Sequence, residues 1–189
     1  MSINWDQEFT LTVPLSPPLP TIIIDAPTYG NYGGLNYSNG EFVNNTDPVD
    51  YDPTTAVDVL DLQFLIHDEE SAAARAAGAV DPLAGLSLQA DADKTLIDSL
   101  VALTPAQLDA EASVYAGVAT LAHIALLEIN PVGVDLSFGE TLVAALDAYG
   151  NIQRGYGNLD AEDRQAADEW LQEVWQTPAL QVVAGDFHL

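Results

Sequence analysis

Hydrophobic positions change their spacing partway along this chain. From Met1 to about Ala26 they alternate or cluster without helical period. Phe9-Thr10-Leu11-Thr12-Val13 alternates, the prolines from Pro14 to Pro20 exclude helix, and Ile22-Ile23-Ile24 is a β-branched run. This pattern predicts an extended arm over residues 1–28, lying along the rest of the molecule with its isoleucines packed away from water. A glycine- and aromatic-rich loop follows, Tyr29-Gly30-Asn31-Tyr32-Gly33-Gly34-Leu35-Asn36-Tyr37. Turn chemistry then runs to Thr54, marked by Asn39-Gly40, Asn44-Asn45, Asp47-Pro48 and Asp52-Pro53.

Beyond Thr54 the period becomes helical. A helix capped by Asp52 or Thr55 puts Val57, Leu60, Phe64 and His67 on one face and Asp61, Asp68, Ser71 and Arg75 on a neighbouring polar stripe, with Gly78 as its stop. After Asp81-Pro82 the composition predicts a Gly/Ser linker and then a shorter helix from Asp91 to Leu103. Thr104-Pro105 restarts the chain, and Ala106 to about Ile129 reads as a long, nearly all-apolar helix that ends at Asn130-Pro131. Such a helix belongs at the centre, antiparallel to the stretch from Thr55 to Ala77. A further helix is expected from Ser137 or Gly139 to Tyr149, a loop from Gly150 to Asn158, and a last amphipathic helix from Asp160 to Gln176. The predicted fold is mainly α. It is a single domain over 1–189: the extended arm, a loop and core helices over 29–129 that include two long antiparallel helices, and additional helices over 130–189.

Charge narrows the partners. The 189 residues carry 29 acidic and 4 basic side chains, a formal net charge of −25. A field of that sign repels nucleic acid and anionic membrane surfaces and attracts divalent cations. There is no cysteine, so an apolar core must hold the fold without disulfides. No apolar run reads as a transmembrane segment, and Met1-Ser2-Ile3-Asn4-Trp5-Asp6 lacks the basic and apolar regions of a cleavable signal. The tail Asp186-Phe187-His188-Leu189 resembles the C-terminal signals of type I secretion substrates. The expectation is secretion by that route, with cytoplasmic retention left open.

The candidate chemistry lies between Tyr29 and Glu70. The order Tyr-Gly-x-Tyr-x-Gly, then a turn-rich stretch, then Asp-x5-His-Asp on a helix is carried here by Tyr29-Gly30-Asn31-Tyr32-Gly33-Gly34, Asp61 and His67-Asp68. It resembles the secreted phospholipase A2 family. The resemblance implies a phospholipase A2-like fold and a calcium ion held by the backbone oxygens of Tyr32, Gly34 and Asn36 and by the carboxylate of Asp68. It implies His67 as the base that activates a water against the sn-2 ester of a glycerophospholipid. The partner would then be a phospholipid, zwitterionic or monomeric given the chain's charge, with peripheral membrane contact. Calcium takes oxygen ligands and acts on an ester as a Lewis acid, and neutral imidazole accepts a proton near neutral pH. Consecutive residues on a helix point about 100° apart, so base and metal ligand can serve one reacting centre from two sides.

This sequence departs from the family's pattern at several points. The family's cysteines before the histidine are Gln63 and Phe64 here, its loop cysteines are Asn31 and Gly33, Asn36 stands for a glycine, and Ser71 stands where the family has a tyrosine. The aspartate that orients the base has no motif to mark it; Asp98, Asp109 and Asp147 remain as alternatives. His123, among Ala122, Ile124 and Ala125, is expected to be a core histidine bonded to a backbone carbonyl, and His188 a terminal one. Trp170, Leu171, Val174 and Trp175 make an apolar stripe expected to pack in the core. Two other classes stand beside the hydrolase: a non-catalytic module that calcium stabilises, and an acidic helical interaction module without calcium.

Overall fold

A computed structural model describes residues 3–5, 8–11, 22–25, 27–34, 37–38, 41–42, 51–132 and 136–176. Asn36, the prolines from Pro14 to Pro20, most of the turn-rich segment and the tail from Asp186 to Leu189 lie outside them, as do the side chains of Val174 and Trp175. The described chain is mainly α. Short antiparallel strand pairs precede the helices: β1 (Ile3–Asn4) with β4 (Thr28–Tyr29), β2 (Glu8–Leu11) with β3 (Ile22–Asp25), and β5 (Tyr37–Ser38) with β6 (Glu41–Phe42). The isoleucine run is therefore paired, Ile22 opposite Leu11, Ile23 opposite Thr10 and Ile24 opposite Phe9. A single 3-10 turn, Pro53–Thr55, leads into α1 (Val59–Gly78), α2 (Pro82–Ala102), α3 (Ala110–Ile129), α4 (Phe138–Asn158) and α5 (Ala161–Gln176).

Local chemistry sets these boundaries. Asp52 caps the 3-10 turn, and the cap of α1 is Asp58, whose carboxylate accepts the N–H of Asp61 at 2.9 Å. The predicted start at Asp52 or Thr55 is thus two elements, and Val57 precedes α1 in an exposed position. Two expected interruptions are absent. α2 begins at Pro82, not Asp91: Asp81 accepts the N–H groups of Leu83 and Ala84, Pro82 opens the helix, and Gly85 lies inside it. That glycine is a close-approach residue, since a Cβ on it would lie 2.4 Å from the Cα of Gly78. Likewise α4 runs through the predicted loop, because Gly155 lets it lie against Ala110 and Val114 of α3 while Asn151 and Ala148 are buried.

The register follows from these approaches. His67 faces Asp93, Ser71 faces Gln89 and Gly78 faces Gly85, so α1 and α2 form an antiparallel hairpin. Asp93 to His123 and Leu86 to Asn130 make α2 and α3 antiparallel in turn. The central apolar helix packs most closely on α4 rather than on α1, and because α1 and α3 are each antiparallel to α2 it runs in the same sense as α1, not antiparallel to it as expected. It still meets α1 through side chains, with Phe64 edge-on to Tyr115 at 5.3 Å between ring centres. The main core gathers Leu60, Phe64 and Leu65 of α1, Leu96 and Leu100 of α2, and Tyr115, Ala116 and Ala119 of α3. Tyr29 and Tyr32 of the glycine-rich loop are fully inside it. Trp170 joins from α5, its ring 6.0 Å from that of Trp5. By length and composition the stretch Ala110–Glu128 would also serve as a membrane-crossing helix, and half of it is buried inside this fold.

Candidate active site

Three antiparallel helices each bring one side chain to a common point. His67 of α1 places Nε2 2.8 Å from Asp93 Oδ1 of α2, and His123 of α3 places Nδ1 3.1 Å from the same oxygen. The two imidazole rings meet edge to face at 4.7 Å. Gln89, one helical turn before Asp93, donates its amide to Asp93 Oδ1 and to Ser71 Oγ, both at 3.0 Å. The carboxylate is 5% exposed, while each histidine side chain keeps 14%, so the acid lies behind and the rings reach toward solvent.

A carboxylate only accepts, so both rings must donate to it. His67 then carries its proton on Nε2 and leaves Nδ1 as the basic nitrogen; His123 carries its proton on Nδ1. Burial works to raise the pKa of Asp93, but the hydrogen bonds from His123 and His67, reinforced by their charges, outweigh it and hold the carboxyl well below the usual carboxylate range. Burial lowers the pKa of His123, and the bond to Asp93 opposes this in part.

Asp68 points elsewhere. Its Oδ2 is buried, with the Ser38 hydroxyl of β5 as the polar group beside the same carboxyl. Burial pushes the Asp68 carboxyl up to about 7, with a hydrogen bond from Ser38 and then the charges of His67 and Arg75 opposing. Its backbone oxygen accepts the Tyr51 hydroxyl at 3.1 Å.

The glycine-rich loop is organised by Asp61. This fully buried carboxylate accepts the N–H groups of Asn31 at 3.0 Å, Tyr32 at 2.8 Å and Val57 at 3.0 Å. The loop therefore turns N–H groups, not carbonyls, toward Asp61. Tyr29 and Gly33 exchange backbone hydrogen bonds, and the Gly34 carbonyl accepts the N–H of Tyr37 at 3.2 Å. The Tyr32 hydroxyl is hydrogen-bonded to Thr55. Of the residues expected to bind calcium, Asp68 and the loop around Gly34 share the neighbourhood of β5, while Asn36 lies outside the described residues.

None of the aspartates considered for orienting His67 does so. Asp98 is exposed beside Lys94, Asp109 caps α3 through the N–H of Ala112, and Asp147 accepts the side-chain amide of Asn151. The partner is Asp93, which lies inside the helix expected from Asp91 to Leu103 but carries no motif to mark it. With the helix running from Pro82, Asp93 falls on the stripe of Ala90, Leu96, Ile97 and Leu100, and an acid on an apolar stripe is the signal that would have found it. His123 is also corrected: it bonds a carboxylate, not a backbone carbonyl.

In comparisons with protein-family models, curated proteins and solved structures, nothing matches this chain.

Proposed function

We propose that the chain is a calcium-dependent acyl ester hydrolase of phospholipase A2 type, acting on glycerophospholipids. One observation carries this reading: the 2.8 Å bond from His67 Nε2 to a buried carboxylate on the antiparallel partner helix, which leaves Nδ1 free to take a proton. It supplies the orienting acid that the sequence resemblance requires but does not mark.

His67 takes a proton from a water through Nδ1. Asp93 fixes the tautomer and stabilises the imidazolium that results, as an acid does for a base in a catalytic triad. Gln89 holds Asp93 in place through its amide. Asp68 suits a hard cation when ionised, because a bound ion would offset the burial that raises its pKa. By resemblance the backbone oxygens of Tyr32, Gly34 and Asn36 would complete that site. Calcium, when bound, supplies Lewis acidity to an ester carbonyl and countercharge to its oxyanion.

The test is hydrolysis of zwitterionic phosphatidylcholine in mixed micelles, with calcium against chelator and wild type against His67→Gln. Fatty acid released only with calcium and only by wild type supports the reading. Release that survives His67→Gln, or none from wild type with calcium, removes it.

A further inference from the structure

His123 has no part in the hydrolytic reading, since one histidine and one orienting acid suffice for it. Yet it is brought from a third helix to the same carboxylate oxygen as His67. We propose that His67, Asp93 and His123 form a binding site for a borderline transition-metal ion of the zinc class, distinct from the calcium position at Asp68.

The geometry argues for it first. Ligand atoms about 2.0–2.1 Å from a zinc ion lie about 2.8–3.0 Å from one another in octahedral arrangement and about 3.3–3.4 Å in tetrahedral arrangement. Asp93 Oδ1 is 2.8 Å from one ring nitrogen and 3.1 Å from the other, and all the donor atoms fall within 4.8 Å of each other. Oδ1 already stands at ligand spacing from each ring, and the ring nitrogens, within 4.8 Å of one another, close to about 3.3 Å by side-chain rotation when an ion enters.

Chemistry argues for it next. Two imidazoles and one carboxylate select zinc and its neighbours over calcium or magnesium, which take oxygen. Three protein ligands leave a position for water, the pattern of an open zinc site. The outer support is also built at the carboxylate, since Gln89 bonds both Asp93 Oδ1 and Ser71 Oγ. The hairpin of α1 and α2 with α3 across it fixes the three donors on rigid elements, which keeps the ordering cost of binding small.

Occupancy has a consequence for His67. Coordination through Nε2 requires that nitrogen's lone pair, so the ring moves its proton through solvent to Nδ1; His123 likewise moves its proton to Nε2. No proton is gained or lost by the neutral pair. His67 Nδ1, the atom that takes a proton from water in the hydrolytic reading, is then protonated and no longer a base. Zinc and hydrolysis are therefore mutually exclusive at this site. The exclusion rests on the hydrolytic reading, whereas the binding of the ion does not.

Metal-stripped full-length protein is titrated with Zn²⁺ by calorimetry in excess magnesium, which occupies the surface carboxylates. Cobalt(II) is added separately and its visible absorption recorded. One high-affinity zinc per chain, with cobalt bands of a nitrogen-containing site, is the expected result, and His123→Gln is expected to weaken zinc binding at least tenfold while Asp68→Asn leaves it unchanged. Circular dichroism checks that each variant is folded; if His123→Gln is not, the cobalt spectrum of wild type decides alone. A wild type that shows no tight zinc in magnesium, or a cobalt spectrum of oxygen ligands only, overturns the proposal. Zinc added to the calcium-dependent assay should abolish hydrolysis in wild type. Tight zinc in a protein without hydrolase activity would retain the metal site and remove the hydrolytic reading; hydrolysis without tight zinc would do the reverse.

Discussion

The carboxylate of Asp61 occupies the space that a side chain on Gly30 would need: a Cβ there would lie 2.5 Å from Asp61 Cγ, and Gly30 already has a φ of +59°. One buried acid thereby fastens the aromatic loop to the first turn of α1, through the N–H groups of Asn31, Tyr32 and Val57. Gly30→Ala must accept both a left-handed backbone and a clash with that carboxylate, and about 2–4 kcal/mol of stability should be lost. Asp61→Asn turns an amide toward backbone donors and should cost about 1–3 kcal/mol. Urea unfolding measures both. A Gly30→Ala protein as stable as wild type would mean that the loop is not held by Asp61.

The bond between His67 and Asp93 predicts a particular kinetic signature. Asp93→Asn keeps the shape but reverses the hydrogen-bonding preference of the ring, so kcat should fall by about 10²–10⁴ with KM little changed. His67→Gln should reduce activity to background. The acid also leaves a mark on stability. Because its folded pKa lies below the usual carboxylate value, its contribution is complete above about pH 4 and is lost as pH falls through the lower folded value. Wild type should therefore lose more stability than Asp93→Asn on acidification, which unfolding curves across pH would register. Parallel curves would remove the charged bond.

Asp68 has the opposite sign. Its carboxyl is raised to about 7 by burial, so its contribution to stability is complete below about pH 4 and declines as pH rises through 7. In chelator, wild type should thus lose stability over that window by a few kcal/mol relative to Asp68→Asn. Calcium binds the ionised form, so with calcium in excess the wild-type midpoint should instead rise toward higher pH, by linkage. Asp68→Asn should show neither effect. A midpoint indifferent to calcium at pH 8 would argue against the cation site at Asp68.

How far the sequence could be followed depended on what each residue type says locally. The mainly helical class, the end of α1 at Gly78 and the start of α5 after Asp160 were legible, because caps, stops and period act over a few residues. His67 was legible as a titratable residue at the edge of a buried face. Asp93 and His123 were not, because only the packing of α1 and α3 on α2 brings them to His67; nor was the start of α2, since Gly85 reads as a linker residue and only the close approach of Gly78 shows why a glycine belongs inside a helix there. The same error shortened α4 at Gly150. Asp61 and Ser71 were placed on a polar stripe, yet both are buried, since the loop and α2 cover that face. Which element covers a helix is a non-local fact, and no period along the chain contains it.

The glycines within the helices divide into two kinds, and substitution should separate them. A Cβ on Gly85 meets the Gly78 Cα at 2.4 Å, so Gly85→Ala must push α1 and α2 apart near the end of the hairpin that carries Ser71 and Gln89. A cost of about 1–3 kcal/mol is expected, together with reduced activity because Asp93 moves with its helix. Gly150 has open space around its Cα, as does Gly157, and both lie in α4. Alanine at Gly150 meets nothing and removes backbone freedom from the unfolded chain, so a gain of about 0.5–1 kcal/mol is expected, with activity unchanged. Thermal melts of the two variants decide it. If Gly150→Ala destabilises, the continuous α4 is wrong and the sequence's own expectation of a loop from Gly150 to Asn158 was right; if Gly85→Ala is neutral, the tight hairpin that sets the register of His67 on Asp93 is not present.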